Sequence, residues 1–334
     1  MGCGPSKKCK WKKSTLGRVS QYQMEASQEL DGLKKMPISL DCDNGSTSGR
    51  ISVKRFHNLI YDGFYAPFLK NPFYVVVIDT RSEVAFVHSH VITARWHGHI
   101  NFSEKNFDFL KFSLIVMYDQ DGTGLDNKDS NLRKLFDSLR NRRFEPLCLT
   151  GGIEGIEASC PYLLTKNQFP IRERSITLNW YPLMIQEGSL YLGRADQALN
   201  PAIVRSLDLT HIVCLTDTIP IGIFPTVSYL ICPLCEESPA DLLQKLPTIL
   251  QFMREATLQK GRLLVHCDQG VNRSPVVVMA YLMTTLCCSL EDAYYYLKGL
   301  RRVLLPTETF LQQLILYEEE LYGKPLTHLE DLWL

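Results

Sequence analysis

The feature that most constrains this chain is an apolar run that stops at a cysteine. Leu263-Leu264-Val265 leads directly into His266-Cys267-Asp268-Gln269-Gly270-Val271-Asn272-Arg273-Ser274, and a second apolar stretch begins at Pro275. A buried strand, a short loop carrying Gly and Arg, and a helix opening at Ser-Pro together form an anion cradle. Successive backbone N–H groups point inward and the helix N-terminus adds a positive dipole end. The same field favours a thiolate, which makes Cys267 the candidate nucleophile.

The other residue types fit one chemistry. Arg273 supplies a planar two-pronged donor for phosphoryl oxygens, a geometry that Lys cannot reproduce. Gly270 lets the loop turn tightly, and the cradle itself runs through Asp268, Gln269, Gly270, Val271, Asn272 and Arg273. His266 is expected to fix the loop through side-chain hydrogen bonds, and Ser274 to donate to the sulfur when it departs. The reaction implied is double displacement through a cysteinyl-phosphate, with no metal or other cofactor. The alternative, a buried Cys at a strand end near an incidental Arg, would have to meet five specified residue types in nine positions by chance.

With 334 residues the chain fits two domains with tails. Charged residues make up 22% and the formal net charge is zero, which gives no support to nucleic-acid binding. The eleven scattered cysteines, with no signal-peptide core or membrane-length apolar run, predict reduced thiols in the cytoplasm or at its membrane faces. Residues 1–50 read as a disordered basic tail. Order is expected from Ile51 and Val53, with buried strands at Tyr74 to Ile78, Leu114 to Tyr118 and Pro146 to Leu149, and a helical pattern through Leu132, Leu135, Phe136 and Leu139. Strand, polar loop and helix in this order predict a parallel α/β domain over 51–168. A linker follows over 169–175, then a second α/β domain over 176–324 and a tail over 325–334. In the second domain Leu190 to Gly193, His211 to Leu215 and Leu263 to Val265 are the strands. Phe310, Leu314, Tyr317 and Leu321 mark the apolar face of the final helix.

At this point a resemblance is plain. Residues 176–322 resemble a cysteine-dependent dual-specificity phosphatase domain on Gly193-Arg194-Ala195-Asp196-Gln197-Ala198, the Tyr229 to Pro233 strand, the Cys267 signature, and Phe310-Leu311-Gln312-Gln313-Leu314. The resemblance implies a shallow pocket for phosphotyrosine and phosphoserine/threonine on proteins. It places the general acid, usually Asp, on Glu236, with Asp241 a second candidate, and it puts Thr307 where an Asn usually braces the phosphate loop. The acidic Asp268 and the absence of Lys from the loop argue against inositol-lipid substrates.

Residues 51–168 resemble a rhodanese-like domain as found in MAP kinase phosphatases. The carriers are Val77-Ile78-Asp79-Thr80-Arg81-Ser82, His90-Val91-Ile92-Thr93-Ala94, Gly151-Gly152-Ile153-Glu154-Gly155 and Ala158-Ser159-Cys160-Pro161. Asp119 stands where a sulfurtransferase would carry its Cys, so sulfur transfer is not expected. The resemblance implies MAP kinases as partners, although only Arg95, with His97 and His99, follows the His-Val-Ile-Thr-Ala stretch. The combination looks most like the MK-STYX-like group, which includes pseudophosphatases but typically lacks the His-Cys pair retained here. Two functions therefore stand: a phosphatase acting on phosphorylated proteins, and a scaffold that binds them with little turnover.

Met1-Gly2-Cys3-Gly4-Pro5-Ser6 matches the N-myristoylation pattern at Gly2, with Cys3 a palmitoylation candidate and five lysines within the first thirteen residues. This predicts attachment to the cytosolic face of a membrane. His88, His90, His97 and His99 lack acidic or Cys neighbours and are a weak metal signal. Cys232 and Cys235 form a C-x-x-C that could resolve an oxidised Cys267, or are simply buried strand thiols.

Overall fold

A computed structural model describes residues 49–63, 66–100, 109–216, 224–235, 237–238, 241–301 and 303–332. Gly2, Cys3 and nearly all of the expected basic tail lie outside them, as does Glu236. The described chain contains twelve strands: β1 (Arg50–Ile51), β2 (Val75–Asp79), β3 (His90–Val91), β4 (Arg95–Trp96), β5 (Leu114–Tyr118), β6 (Leu147–Leu149), β7 (Leu164–Thr165), β8 (Leu183–Gln186), β9 (Leu190–Arg194), β10 (His211–Cys214), β11 (Ser228–Ile231) and β12 (Leu263–Cys267). They form one five-stranded sheet in the order β1-β6-β5-β2-β4, a second in the order β11-β10-β12-β9-β8, and a pair β3-β7.

In the first sheet every neighbour is parallel. Its central strands β2 and β5 are continuous apolar runs, as strands covered on both faces must be. The helix Asn131–Asn141 buries Leu132, Leu135, Phe136 and Leu139 and starts at Ser130, whose hydroxyl accepts from Arg133 N–H. At the end of β5 the Asp119 carboxylate accepts from Gly122 N–H at 2.7 Å and Gly124 N–H at 2.6 Å. It braces the turn that follows.

The second sheet is parallel except for the antiparallel pair β8-β9. The strand β12 sits in the middle between β10 and β9, with all five residues buried. That central place follows from its unbroken apolar run, and it delivers Cys267 to the C-terminal edge of the sheet. The helix Arg273–Leu286 then buries a continuous block from Ser274 to Met283.

Three expectations change. The segment 169–175 does not run as an open linker: Ile171–Thr177 is a short helix and Arg174 within it is buried. The segment 325–332 is packed rather than free. Glu318, itself buried, accepts from Leu326 N–H and Thr327 N–H, and Leu332 is fully buried. Thirdly, the two sheets share one apolar core, in which Phe56 and Ile60 join Tyr181, Met184 and Tyr191.

The helix Val53–Tyr61 makes that junction. Its N-cap is Ser52, and its inward face carries Phe56, His57, Asn58, Ile60 and Tyr61. Asn58 holds the Met184 backbone at both ends, donating to Met184 O and accepting from Met184 N–H, each at 2.9 Å. His57 Nε2 lies 3.0 Å from Pro182 O and Lys54 Nζ 3.2 Å from Tyr296 Oη. Trp180 Nε1 donates to Tyr61 O at 2.7 Å. Each of these bonds satisfies a backbone or side-chain group that would otherwise be buried unpaired.

Candidate active site

Cys267 ends β12 and is 3% exposed. Gly270 N–H donates to its sulfur at 3.2 Å, and the Ser274 hydroxyl oxygen lies at hydrogen-bonding distance, also 3.2 Å. Both face the sulfur, one from the loop backbone and one from the first turn of the helix behind it. Gly270 adopts φ +68°, and a Cβ there would lie 2.6 Å from the Gly193 carbonyl oxygen. A side chain would therefore push the loop off β9.

Arg273 is the first residue of its helix. Its Nη1 donates to Leu215 O at 3.3 Å, and its Nη2 pairs with the Asp268 carboxylate. Asp268 is exposed, so this pairing shows where an incoming anion would be gripped, and it also places a competitor there. The Asp268 carbonyl accepts from Ala195 N–H at 3.3 Å, which ties the loop to the Gly193–Ala198 motif. In that motif Gln197 accepts from Arg194 N–H and donates to Trp180 O. The remaining loop positions, Gln269, Val271 and Asn272, complete the turn between Cys267 and the helix.

His266 departs from expectation. Its ring is buried, and neither nitrogen reaches a hydrogen-bonding partner among the described residues. Burial lowers its pKa to about 4, against a smaller opposing influence of the Cys267 backbone and of Asp268. The ring is thus held buried and uncharged at the end of the central strand. His57 is similar, with burial holding its pKa at about 4 against the Pro182 carbonyl.

Both rings make stability depend on pH. The unfolded chain takes up these protons near pH 6.5 and the folded chain only near pH 4, so the unfolded state binds more protons in that window. Stability is therefore complete above about pH 6.5 and falls as pH drops toward 4, by about 2 kcal/mol per ring at pH 5. Denaturant titrations from pH 7.5 to 4.5 should show this decline, and a flat profile would contradict the buried neutral rings.

The segment after the helix Leu290–Leu300 contributes residues that motif reading missed. Arg301, nearly buried, donates through Nη1 to Gly270 O at 2.8 Å. It shares a small cavity wall with Asp62, Trp180 and Gln197, and the Asp62 carboxylate offsets part of the burial that lowers the Arg301 guanidinium. Residues from both halves of the chain thus meet behind the loop. Gly270 and Arg301 are 31 positions apart, so no local pattern announces the contact. The Thr307 substitution is accommodated by the backbone: Thr307 N–H donates to Asn272 Oδ1 at 2.9 Å, and Leu305 N–H to Val271 O at 2.8 Å. The Thr307 hydroxyl makes no hydrogen bond among the described residues.

Asp241 opens the helix Asp241–Leu258. Its carboxylate accepts from Cys235 N–H at 2.8 Å and pairs with Lys245 at 2.7 Å. Those partners pin the 232–235 segment to the start of the helix. Gln313, buried, caps the same helix by accepting from Leu242 N–H at 2.9 Å, a role its motif did not disclose. Cys232 is half-buried and Cys235 exposed, with burial pushing the Cys232 thiol up. Of the four close histidines, His90 approaches Phe86 O, His97 approaches Asp79 O, and His99 lies edge-on to Trp96. Among the described residues no three metal-capable side chains gather.

The sequence profile of the dual-specificity phosphatase catalytic domain matches residues 190–320. Human dual specificity protein phosphatase 14 is 35% identical over 153 residues, which cover 43% of this chain and 77% of that protein. Dual specificity protein phosphatase 1-A of Xenopus laevis is 27% identical over 233 residues, a longer match that covers 63% of each chain. The chain thus spans less than two thirds of the frog protein's length. A crystal structure of human DUSP28 superposes with a TM-score of 0.37 at 34% identity, covering 40% of this chain and 89% of that one.

Proposed function

Because the chain belongs to the dual-specificity phosphatase family, we propose that it hydrolyses phosphotyrosine and phosphoserine/threonine on proteins through a cysteinyl-phosphate on Cys267. The observation that carries this reading is the Cys267 sulfur at the floor of the loop, between Gly270 N–H and the Ser274 hydroxyl, with the Arg273 fork at its mouth. Sulfur attacks phosphorus, the leaving oxygen departs with a proton from the acid, and water then releases phosphate while Ser274 donates to the departing thiolate. The backbone N–H groups and Arg273 stabilise the transferring group in both steps.

Glu236 is proposed as the acid. Its carboxyl reaches one methylene further than the usual Asp. Alkoxide leaving groups need protonation much more than phenoxides do, so Glu236→Gln should slow phosphoserine peptide hydrolysis about 10²-fold and activated aryl phosphates only slightly. Equal losses on both substrates would remove Glu236 from that role.

The first sheet is proposed as a rhodanese-like domain without sulfurtransferase activity, since Asp119 is committed to its turn. Phosphorylated proteins, MAP kinases among them, are the proposed partners. The scaffold reading draws its support from the Asp268–Arg273 pairing, which sets a resident carboxylate against the substrate dianion.

A further inference from the structure

The phosphate loop leaves a second basic constellation unused. A cavity of about 260 Å³ opens beside β4 and the start of the helix Ile171–Thr177, with Thr93, Arg95, Trp96, His99, Phe169 and Arg174 in its wall. Arg174 is 8% exposed, and its buried Nε has no hydrogen-bond partner among the described residues. Among the described residues no carboxylate lines this cavity. Burial, and secondarily the charge of Arg95, lower the Arg174 guanidinium from its ordinary value, so two cations face one space.

A buried guanidinium without full compensation is costly, and here the fold retains one whose Nε is left unsatisfied. Thr93, on the same wall, holds φ +67° within the turn closed by Ala94 N–H to Val91 O. Guanidinium forks match phosphate oxygens, two of them suit a dianion better than a single carboxylate, and Trp96 and Phe169 offer an aromatic wall for an organic group.

We propose that this cavity is a binding site for a phosphate monoester, held by Arg174 and Arg95 and separate from the catalytic loop. The ligand is either a free small molecule or a phosphorylated side chain of a protein, and the chemistry of capture is the same.

The site is tested on the full-length chain carrying Arg273→Ala, which removes the catalytic loop's own phosphate grip. Phenyl phosphate should bind at one site by calorimetry and raise the melting temperature. Adding Arg174→Gln or, at the exposed neighbour, Arg95→Gln should weaken binding by about tenfold or more. A phosphotyrosine peptide titrated in parallel identifies the source: tighter binding than phenyl phosphate assigns a protein-borne ligand, and equal binding a free one. With Arg273 intact, Arg174→Gln should leave aryl phosphate hydrolysis unchanged within about twofold, as expected for a site outside the catalytic machinery. No melting shift and no heat with either probe, or equal affinity with and without Arg174 and Arg95, would overturn the proposal.

Discussion

Cys267→Ser is expected to reduce aryl phosphate hydrolysis by the full-length chain by a factor on the order of 10⁴ to 10⁶, the scale of removing a nucleophile from a covalent mechanism. Gly270 N–H and the Ser274 hydroxyl stand at hydrogen-bonding distance from sulfur. A sulfur nucleophile suits that position far better than a serine hydroxyl, which attacks phosphorus poorly without a base to take its proton. The cradle itself is unchanged by the substitution, so oxyanion affinity should persist within a few-fold. A loss of turnover with retained vanadate binding assigns Cys267 to bond making. Loss of both would mean that the loop had collapsed, and unchanged turnover would place the chemistry elsewhere.

The second large effect is expected at Arg273. Its guanidinium spans from Leu215 O to the Asp268 carboxylate, which sets its plane across the mouth of the loop. Arg273→Lys keeps the charge but loses the fork, so one of the two parallel donors to the equatorial oxygens disappears. Removing a preorganised donor of this kind costs about 2.7–4 kcal/mol in the transition state, or roughly 10²–10³ in kcat. Steady-state kinetics on an aryl phosphate measures it. A change confined to KM would show that Arg273 grips substrate and transition state alike, and then the proposed charge stabilisation would be wrong.

Much of the site was legible because its chemistry is local. The apolar run before Cys267 gave a central strand, the Gly and Arg gave a cradle, and nine consecutive residues contain the loop. The buried strands β2, β5 and β12 were equally open to reading, since a strand covered on both faces must be apolar throughout. What was missed is non-local. The strand β8 is four residues long, and its place at the sheet edge comes from an antiparallel pairing with β9 that carries a register shift. Order from Ile51 and Val53 was expected, but nothing in the pattern there says that Asn58 grips Met184 across 126 positions. Arg301 was passed over for the same reason. Two-residue strands such as β3 and β4 are too short to carry a period at all.

His266 shows a different limit. A histidine next to a nucleophile suggests hydrogen bonding, yet its alternation along β12 turns the ring into the packed layer, where desolvation keeps it neutral. Whether a polar side chain in a strand meets a partner depends on what the neighbouring helices place there, and that is settled only by the fold. The Asp241 carboxylate repeats the lesson: its spacing in the sequence does not disclose that it joins Cys235 N–H to Lys245.

Phosphate is expected to pass through the Cys267 sulfur, and trapping the cysteinyl-phosphate tests this most directly. The full-length chain carrying Ser274→Ala, which slows release of the thiolate in the second step, is mixed with an aryl phosphate and quenched in acid within milliseconds. Mass analysis of the digest is then expected to find one phosphoryl group on the peptide containing Cys267, together with a burst of phenol close to one equivalent of enzyme. Steady phenol release with neither burst nor phosphorylated Cys267 peptide would contradict the account.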